Sequence, residues 1–258
     1  MLRAVIFSAG LGTRLKPLTD TMPKALVPLA GKPLLQWQVE KLRDAGIRDI
    51  IVNVHHFPDM IIDTIRANNA WGANITVSDE RDRLLDTGGG LKRIINEKLK
   101  IKNEPVLACN VDILSNIDIR ALIARYEESH VSQLVVSERQ TQRYLLFDKQ
   151  GLLRGWTNIK TGEVKPANLQ SPISNLQSFA FSGMQILSPE MLNRIGEMEQ
   201  DRFSLIDFYL HLCEFSPFNG SRKDPASNLQ SYIPHNYRMM DVGKIEQIDE
   251  AERFAEEL

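Results

Sequence analysis

The sequence predicts an α/β protein in which a mixed, mostly parallel central sheet carries helices on both faces, built as a single domain. Three observations predict it. Apolar runs alternate with segments of helical spacing through the first part of the chain. One run, Pro105-Val-Leu-Ala-Cys109, is apolar almost throughout, as a strand buried on both faces requires. Glycine loops and carboxylates stand just beyond such runs, where open α/β sheets bind ligands.

Taken in order, residues 3–8 read as a buried strand, followed by Ala9-Gly10-Leu11-Gly12-Thr13-Arg14. Leu34 to Ala45 sets Leu35, Val39 and Leu42 at helical spacing and stops at Gly46. Asp49–Val54 is the second strand, and Pro58 starts a helix that turns Ile61, Ile62 and Ile65 inward. Asn74–Ser78 is the third strand. Leu84 to Gly90 then leads into a helix with Leu91, Ile94, Ile95 and Leu99 on one face. Three glycines ahead of a helix give either a flexible entry or bare backbone against which a flat ligand can lie. The Pro105–Cys109 strand passes into Asn110-Val111-Asp112. Ser115 or Asn116 is placed to cap the next helix, leaving Asp112 for other work.

The second half is built from shorter runs: Gln133–Val136, Tyr144–Phe147 and Gly151–Trp156, with Asp148–Gly151 as a hairpin turn. Residues 164–178 and 216–231 are rich in Pro, Ser and Asn and read as surface loops. Phe179–Leu187 is a strand. Ser204 and Asp207 have a capping-box-like spacing at the start of the helix Leu205–Cys213. Tyr237–Asp241 is a strand ending in a second isolated carboxylate, and Ile245–Leu258 is an amphipathic closing helix.

The totals exclude several classes. Thirty-one basic and thirty-three acidic residues leave a net charge of −2, so no basic surplus points to nucleic acid or a membrane surface. Cys109 and Cys213 lie in apolar runs and read as buried free thiols. The five histidines have no zinc-binding spacing. Neither a leader peptide nor a stretch of membrane-spanning length is evident, so the chain reads as cytoplasmic.

The chemistry centres on residues 7–33. Gly10 and Gly12 allow a turn whose N–H groups face an anion, and Arg14 and Lys24 add two cations, a combination suited to a polyphosphate. The G-x-x-x-x-G-K-[ST] loop is absent, and the dinucleotide fingerprint fails where Leu15 replaces its third glycine. The string Gly10-Leu-Gly-Thr-Arg-Leu-Lys-Pro-Leu-Thr19, with Pro23-Lys-Ala-Leu-Val-Pro-Leu-Ala-Gly-Lys-Pro33, resembles the signature of the sugar-1-phosphate nucleotidylyltransferases. The resemblance runs nearly the full length and implies a Rossmann-like, nucleotide-diphospho-sugar transferase-like fold. Residues 1–130 would form its nucleotide-binding half, and 131–258 its sugar-phosphate-binding half with the closing helix.

It further implies transfer of a nucleoside monophosphate from a nucleoside triphosphate to a sugar 1-phosphate, with Mg²⁺ as cofactor. Arg14 and Lys24 would be catalytic. Nucleotide contacts would come from Ala9, Gly10, Leu11, Gly12, Thr13, Arg14, Lys24, Glu80, Thr87, Gly88 and Asn110. Asp112 and Asp241 match the metal-binding aspartates, and Ser182-Gly183 the small residues beside the sugar. Many relatives have a glycine followed by an adjacent Glu and Lys at the sugar. The corresponding count from Gly151 reaches Asn158 and Ile159, with Lys160 one step late and Glu163 and Lys165 further on. Here the chain departs from the pattern, and Trp156, Asn158 and Lys160 are the candidates, beside Asp112. Leu85–Gly90 and Phe181–Gly183 look most like the N-acetylmuramate-1-phosphate uridylyltransferases. Mannose- and heptose-1-phosphate guanylyltransferases are the runners-up. A non-catalytic nucleotide-binding regulator and a dinucleotide-dependent dehydrogenase are the readings from other classes.

Overall fold

Strand β1 (Arg3–Phe7) lies inside a ten-stranded sheet, and its side chains alternate between two cores. Ala4 and Ile6 enter one, Val5 and Phe7 the other, as the two-residue period of a strand requires. The computed structural model describes residues 2–99, 103–169, 171–215 and 228–258.

After β1 come a short hairpin, β2 (Pro28–Leu29) and β3 (Lys32–Pro33), and helix α1 (Leu34–Asp44). Then follow β4 (Asp49–Val54), α2 (Pro58–Ala67), β5 (Asn74–Asp79), α3 (Asp86–Glu97) and β6 (Val106–Asn110). β4 and β6 flank β1, and β5 lies outside β4, all in parallel. Parallel neighbours need crossovers, and the helices between these strands supply them.

The chain continues through β7 (Ile113–Ser115), α4 (Ile119–Ser129), β8 (Ser132–Ser137), β9 (Arg143–Phe147), β10 (Leu153–Asn158) and β11 (Glu163–Lys165). It closes with β12 (Gln177–Leu187), α5 (Pro189–Gly196), α6 (Leu205–Glu214), β13 (Leu229–Tyr232), β14 (Met239–Asp241) and α7 (Ile248–Glu256). β12 joins the two halves: it pairs antiparallel with β6 on one side and with β8 and β9 elsewhere along its length. The sheet is therefore mixed, parallel through the first half and mainly antiparallel beyond it. Apolar stripes of α1, α2, α4 and α7 cover one face, and those of α3, α5 and α6 the other.

Three expectations need correction. The glycines at 88–90 lie inside the first turns of α3, which starts at Asp86. The cap of α4 is Asp118, whose carboxylate accepts from the N–H groups of Arg120 and Ala121 at 2.9 and 3.1 Å; Ser115 is instead consumed in β7. Residues 164–178 are not all loop, since they take in the end of β11 and the start of β12. Of residues 216–231, 216–227 lie outside the described residues, and Leu229 onward is strand β13. Cys109 and Cys213 are both buried, and the Cys213 thiol donates toward the Leu153 carbonyl at 3.7 Å. Among the described residues no helix is long and apolar enough to cross a membrane.

Candidate active site

The loop after β1 turns at Gly12, whose φ of +64° belongs to the left-handed region that glycine enters without strain. A Cβ there would stand 2.8 Å from Thr19 Cγ2 and 3.1 Å from Lys24 Cβ. The Thr19 hydroxyl donates to the Gly12 carbonyl at 2.9 Å, and Leu15, fully buried, anchors the turn in the core. The N–H of Ser8 donates to Asn53 Oδ1 at 2.8 Å, and the Ser8 hydroxyl donates to the Asn53 carbonyl. Asn53 in turn donates to Glu80 at 2.9 Å.

This loop opens on a cavity of about 370 Å³. Ala9, Gly10, Gly12, Thr13, Arg14 and Lys24 line it from the loop side, Asp86 and Thr87 from α3, and Asn110 and Asp112 from the end of β6. A second cavity, of about 710 Å³, lies on the side of the antiparallel strands, lined by Trp156 and Asn158 of β10 and by Asp241. Arg14 lines both.

Lys24 lines the first of them, and its charge reaches Asp241, which lines the second. Its ammonium forms an ion pair with Asp112, with side chains only 10% and 18% exposed. Asp241 reaches the same place because β14 pairs antiparallel with β7, setting Asp241 opposite Ile113. The Asp112 carbonyl accepts from the Val242 N–H at 2.8 Å. From beneath, α1 holds β7: Gln38 donates to the Ile113 carbonyl at 2.6 Å, and Lys41 donates to the carbonyl and hydroxyl oxygens of Ser115. Burial pushes the Lys41 ammonium down to about 8.

The Asp241 carboxyl is raised above the ordinary range, first by burial and then by the Asp112 charge, while Lys24, Arg14 and Arg139 act the other way. Its Oδ1 is buried with no hydrogen-bond partner among the described residues. An orphaned carboxylate oxygen beside a second carboxylate fits Mg²⁺, which prefers oxygen ligands and takes others from phosphate and water. No group of three or more metal-ligating side chains occurs among the described residues, so the two aspartates could supply only part of a metal's shell.

The structure brings most of the expected residues to these cavities, but not all. Glu80 is fully buried beneath α3 and meets the ligand space only through Asn53. Gly88 faces inward, where a Cβ would meet the Phe203 ring at 2.3 Å, and its N–H donates to the Phe203 carbonyl at 2.9 Å. The missing side chains of the glycine run are therefore required by packing within the chain: Phe203 at Gly88, the Asp201 backbone at Gly89, and the Glu80 and Asn53 side chains at Gly90. The Thr87 hydroxyl accepts from the Leu205 N–H at 3.0 Å, although Thr87 still lines the nucleotide-side cavity. The Leu11 side chain is 41% exposed and lines neither cavity. Ser182 is fully buried and donates to the Ser137 hydroxyl at 3.4 Å. Gly183 approaches Asn110 and Ile113 so closely that a Cβ would lie 2.8 Å from Ile113 Cγ1.

Lys160 is exposed on the β10–β11 turn and lines neither cavity; Lys165 lines the second instead, with its ammonium 5.6 Å from the centre of the Trp156 ring. Asn53, Arg202, Arg139 and Arg143 were missed. Asn53 could have been found as the polar interruption of the Ile50–Val54 run; the arginines have no comparable local signal.

The fold and site set a glycine loop, a lysine and two carboxylates at one edge of an α/β sheet. The profile of the Nucleotidyl transferase family matches residues 3–257, and the chain belongs to that family. Its curated relatives put it among the sugar-1-phosphate nucleotidyltransferases. The N-acetylmuramate alpha-1-phosphate uridylyltransferase of Neisseria meningitidis serogroup B is 30% identical over 79% of this chain and 88% of its own. That of Caulobacter vibrioides is 41% identical over 42% of this chain, a match spanning 45% of its own length. The mannose-1-phosphate guanyltransferase of Saccharomyces cerevisiae is 29% identical over 80% of this chain, a match spanning 56% of the yeast protein. The fold is shared with a glucose-1-phosphate thymidylyltransferase, described as putative in its structure, from Bacillus anthracis (TM-score 0.78, 14% identity, covering 100% and 96% of the two chains). It is also shared with HddC from Yersinia pseudotuberculosis complexed with GMP-PN (TM-score 0.71, 22% identity, covering 99% and 100%).

Proposed function

We propose that this chain transfers uridine monophosphate from UTP to N-acetylmuramate 1-phosphate, releasing pyrophosphate. The observation that carries the reading is the Lys24–Asp112 ion pair on one cavity and Asp241 on the next, the two cavities sharing Arg14. The first cavity takes the nucleotide, through the loop from Ala9 to Thr13 together with Thr87 and Asn110. The second takes the sugar, with Trp156 and Asn158 lining it.

In this reading the attacking sugar-phosphate oxygen is already ionised at neutral pH, so no general base is required. Arg14 and the loop N–H groups hold the triphosphate and then the departing pyrophosphate. Lys24 aligns the attacking and attacked phosphates, and its bond to Asp112 fixes the ammonium before substrate arrives. Rate enhancement then rests on alignment and preorganised charge. Asp112 and Asp241 would hold Mg²⁺, which when bound neutralises charge building at the α-phosphate. The enzyme would serve cell-wall precursor supply in a bacterial cytoplasm.

The pairing of GTP with mannose 1-phosphate or a heptose 1-phosphate is the second reading, favoured by the yeast mannose-1-phosphate guanyltransferase, whose alignment covers as much of this chain as the uridylyltransferase of Neisseria. Pyrophosphate release with Mg²⁺, crossing UTP, GTP, CTP, ATP and dTTP with N-acetylmuramate, mannose, heptose and glucosamine 1-phosphates, tests both. The expected result is turnover with UTP and N-acetylmuramate 1-phosphate. Turnover only with GTP and mannose or heptose phosphate would select the second reading. Tight nucleotide binding without pyrophosphate release from any pair would indicate a regulator.

A further inference from the structure

The acceptor-side cavity carries positive charge that its own carboxylates do not neutralise. Antiparallel pairing sets Arg143 opposite Asn158 and Asn158 opposite Glu163, and Leu145 opposite Trp156 and Trp156 opposite Lys165. Residues opposite one another, and residues two apart, share a face, so one face of β9–β11 presents all six to the cavity. Arg139, just before β9, joins them.

The acids there are largely committed. Glu163 lies 3.6 Å from the Lys165 ammonium. Asp207 accepts from the Ser204 hydroxyl at 2.9 Å at the start of α6. Asp241 stands beside the like charge of Asp112 and is shared among Lys24, Arg14 and Arg139. Arg139 donates one hydrogen bond, to the Phe181 carbonyl at 3.1 Å, and neither Arg139 nor Arg143 has an ion-pair partner among the described residues.

A sugar covering two guanidinium groups strips water from them, which is costly unless an anion replaces it. The 1-phosphate cannot supply that anion if it reacts at the Lys24–Asp112 junction. Hydroxyl groups alone would leave the charges uncompensated, whereas a carboxylate matches the planar guanidinium fork.

We infer that the acceptor carries a carboxylate in addition to its 1-phosphate, and that Arg139 and Arg143 recognise it. The inference rests on the proposed sugar-phosphate reaction and assigns specificity to residues that the motif comparison did not reach. Arg143 approaches from the sheet beside Asn158, and Arg139 from the loop beside Phe181, with the Trp156 ring as the apolar floor between polar groups.

The test compares N-acetylmuramate 1-phosphate with N-acetylglucosamine 1-phosphate, which lacks the carboxylate-bearing lactyl ether, and glucuronate 1-phosphate with glucose 1-phosphate. Wild-type kcat/KM should favour an acidic member by about 10- to 100-fold, the worth of a charge-assisted hydrogen bond. Arg139→Gln and Arg143→Gln should each reduce that ratio by about 10-fold or more, chiefly through KM. Equal use of acidic and neutral sugars by the wild type would overturn the inference. So would equal losses on both sugars in the variants, which would mean that the arginines hold the 1-phosphate. If no pair turns over, the proposed reaction fails, and titration calorimetry with the same four sugar phosphates decides the inference separately. Tighter binding of an acidic sugar, lost in the arginine variants, would sustain it; equal binding, or none, would end it.

Discussion

Lys24 is ion-paired with Asp112, eighty-eight residues further along the chain, and the pair is nearly withdrawn from solvent. Lys24 comes from the turn that follows the glycine loop, Asp112 from the residue pair beyond β6. Because β1 and β6 are adjacent parallel strands, their carboxyl ends deliver both groups to the same edge of the sheet.

Removing either partner should disable the reaction while leaving the fold. Lys24→Met and Asp112→Asn should each lower turnover by ~10²–10³, the usual loss for one preorganised charge. The double variant should lose much less than the product of the two, since the residues act as a unit. Pyrophosphate release, with circular dichroism as a check on folding, measures this. Fully multiplicative losses would argue that the ion pair has no catalytic part.

Asp241 should govern metal binding. Mg²⁺ with a non-hydrolysable triphosphate should raise the melting temperature of the wild type, because a ligand that binds only the native state stabilises it by mass action. Asp241→Asn should lose most of that shift and most turnover. A full Mg²⁺-dependent shift in the variant would remove Asp241 from the metal site.

Gly89 is a packing residue of α3. A Cβ at Gly89 would stand 2.0 Å from the Asp201 carbonyl oxygen, a backbone atom that cannot move aside cheaply. Gly89→Ala should therefore destabilise the fold by ~1–3 kcal/mol or more, outweighing the better helix propensity of alanine. Chemical denaturation reads this directly. A variant as stable as the wild type would show that the 197–204 segment moves freely away from α3.

Glu80 should make stability depend on pH. Burial raises its carboxyl above the ordinary value of 4.5, with the Asn53 hydrogen bond opposing. The native state therefore holds the proton more tightly than the unfolded chain, and stability falls as pH rises from about 4.5 through the raised value. Glu80→Gln removes this slope. It should melt higher than the wild type at neutral pH, with the advantage shrinking as pH falls toward 4.5. Melting curves across that range check it; parallel pH profiles would show that folding does not raise the Glu80 carboxyl.

Much of the fold is legible in the sequence because its period is local. The unbroken apolar run of β1, the helical spacing of Leu35, Val39 and Leu42, and Pro58 at the first turn of α2 each depend on near neighbours alone. The same holds for Ser204, whose hydroxyl accepts from the Asp207 N–H at 3.0 Å, as the capping spacing predicts. The cap of α4 was misjudged because Ser115 is claimed by β7, whose partner β14 comes from the far end of the chain. The packing around the glycine run was not legible for a related reason: what meets a side chain at Gly88 or Gly89 is Phe203 or Asp201, not a neighbour in sequence.

The sequence by itself determined the glycine loop, Arg14, Lys24 and the two strand-end aspartates, since each is marked by a residue type at odds with its apolar surroundings. Only the tertiary structure decided which polar groups share a cavity. Arg139, Arg143 and Lys165 look like ordinary surface residues in the chain, and Lys160 looks better placed than Lys165. Sheet register decides between them: Lys165 stands opposite Trp156 across β10 and β11, whereas Lys160 lies in the turn beyond the last pair. A strand shows which residues alternate, but which face meets the ligand depends on pairing with strands elsewhere in the chain.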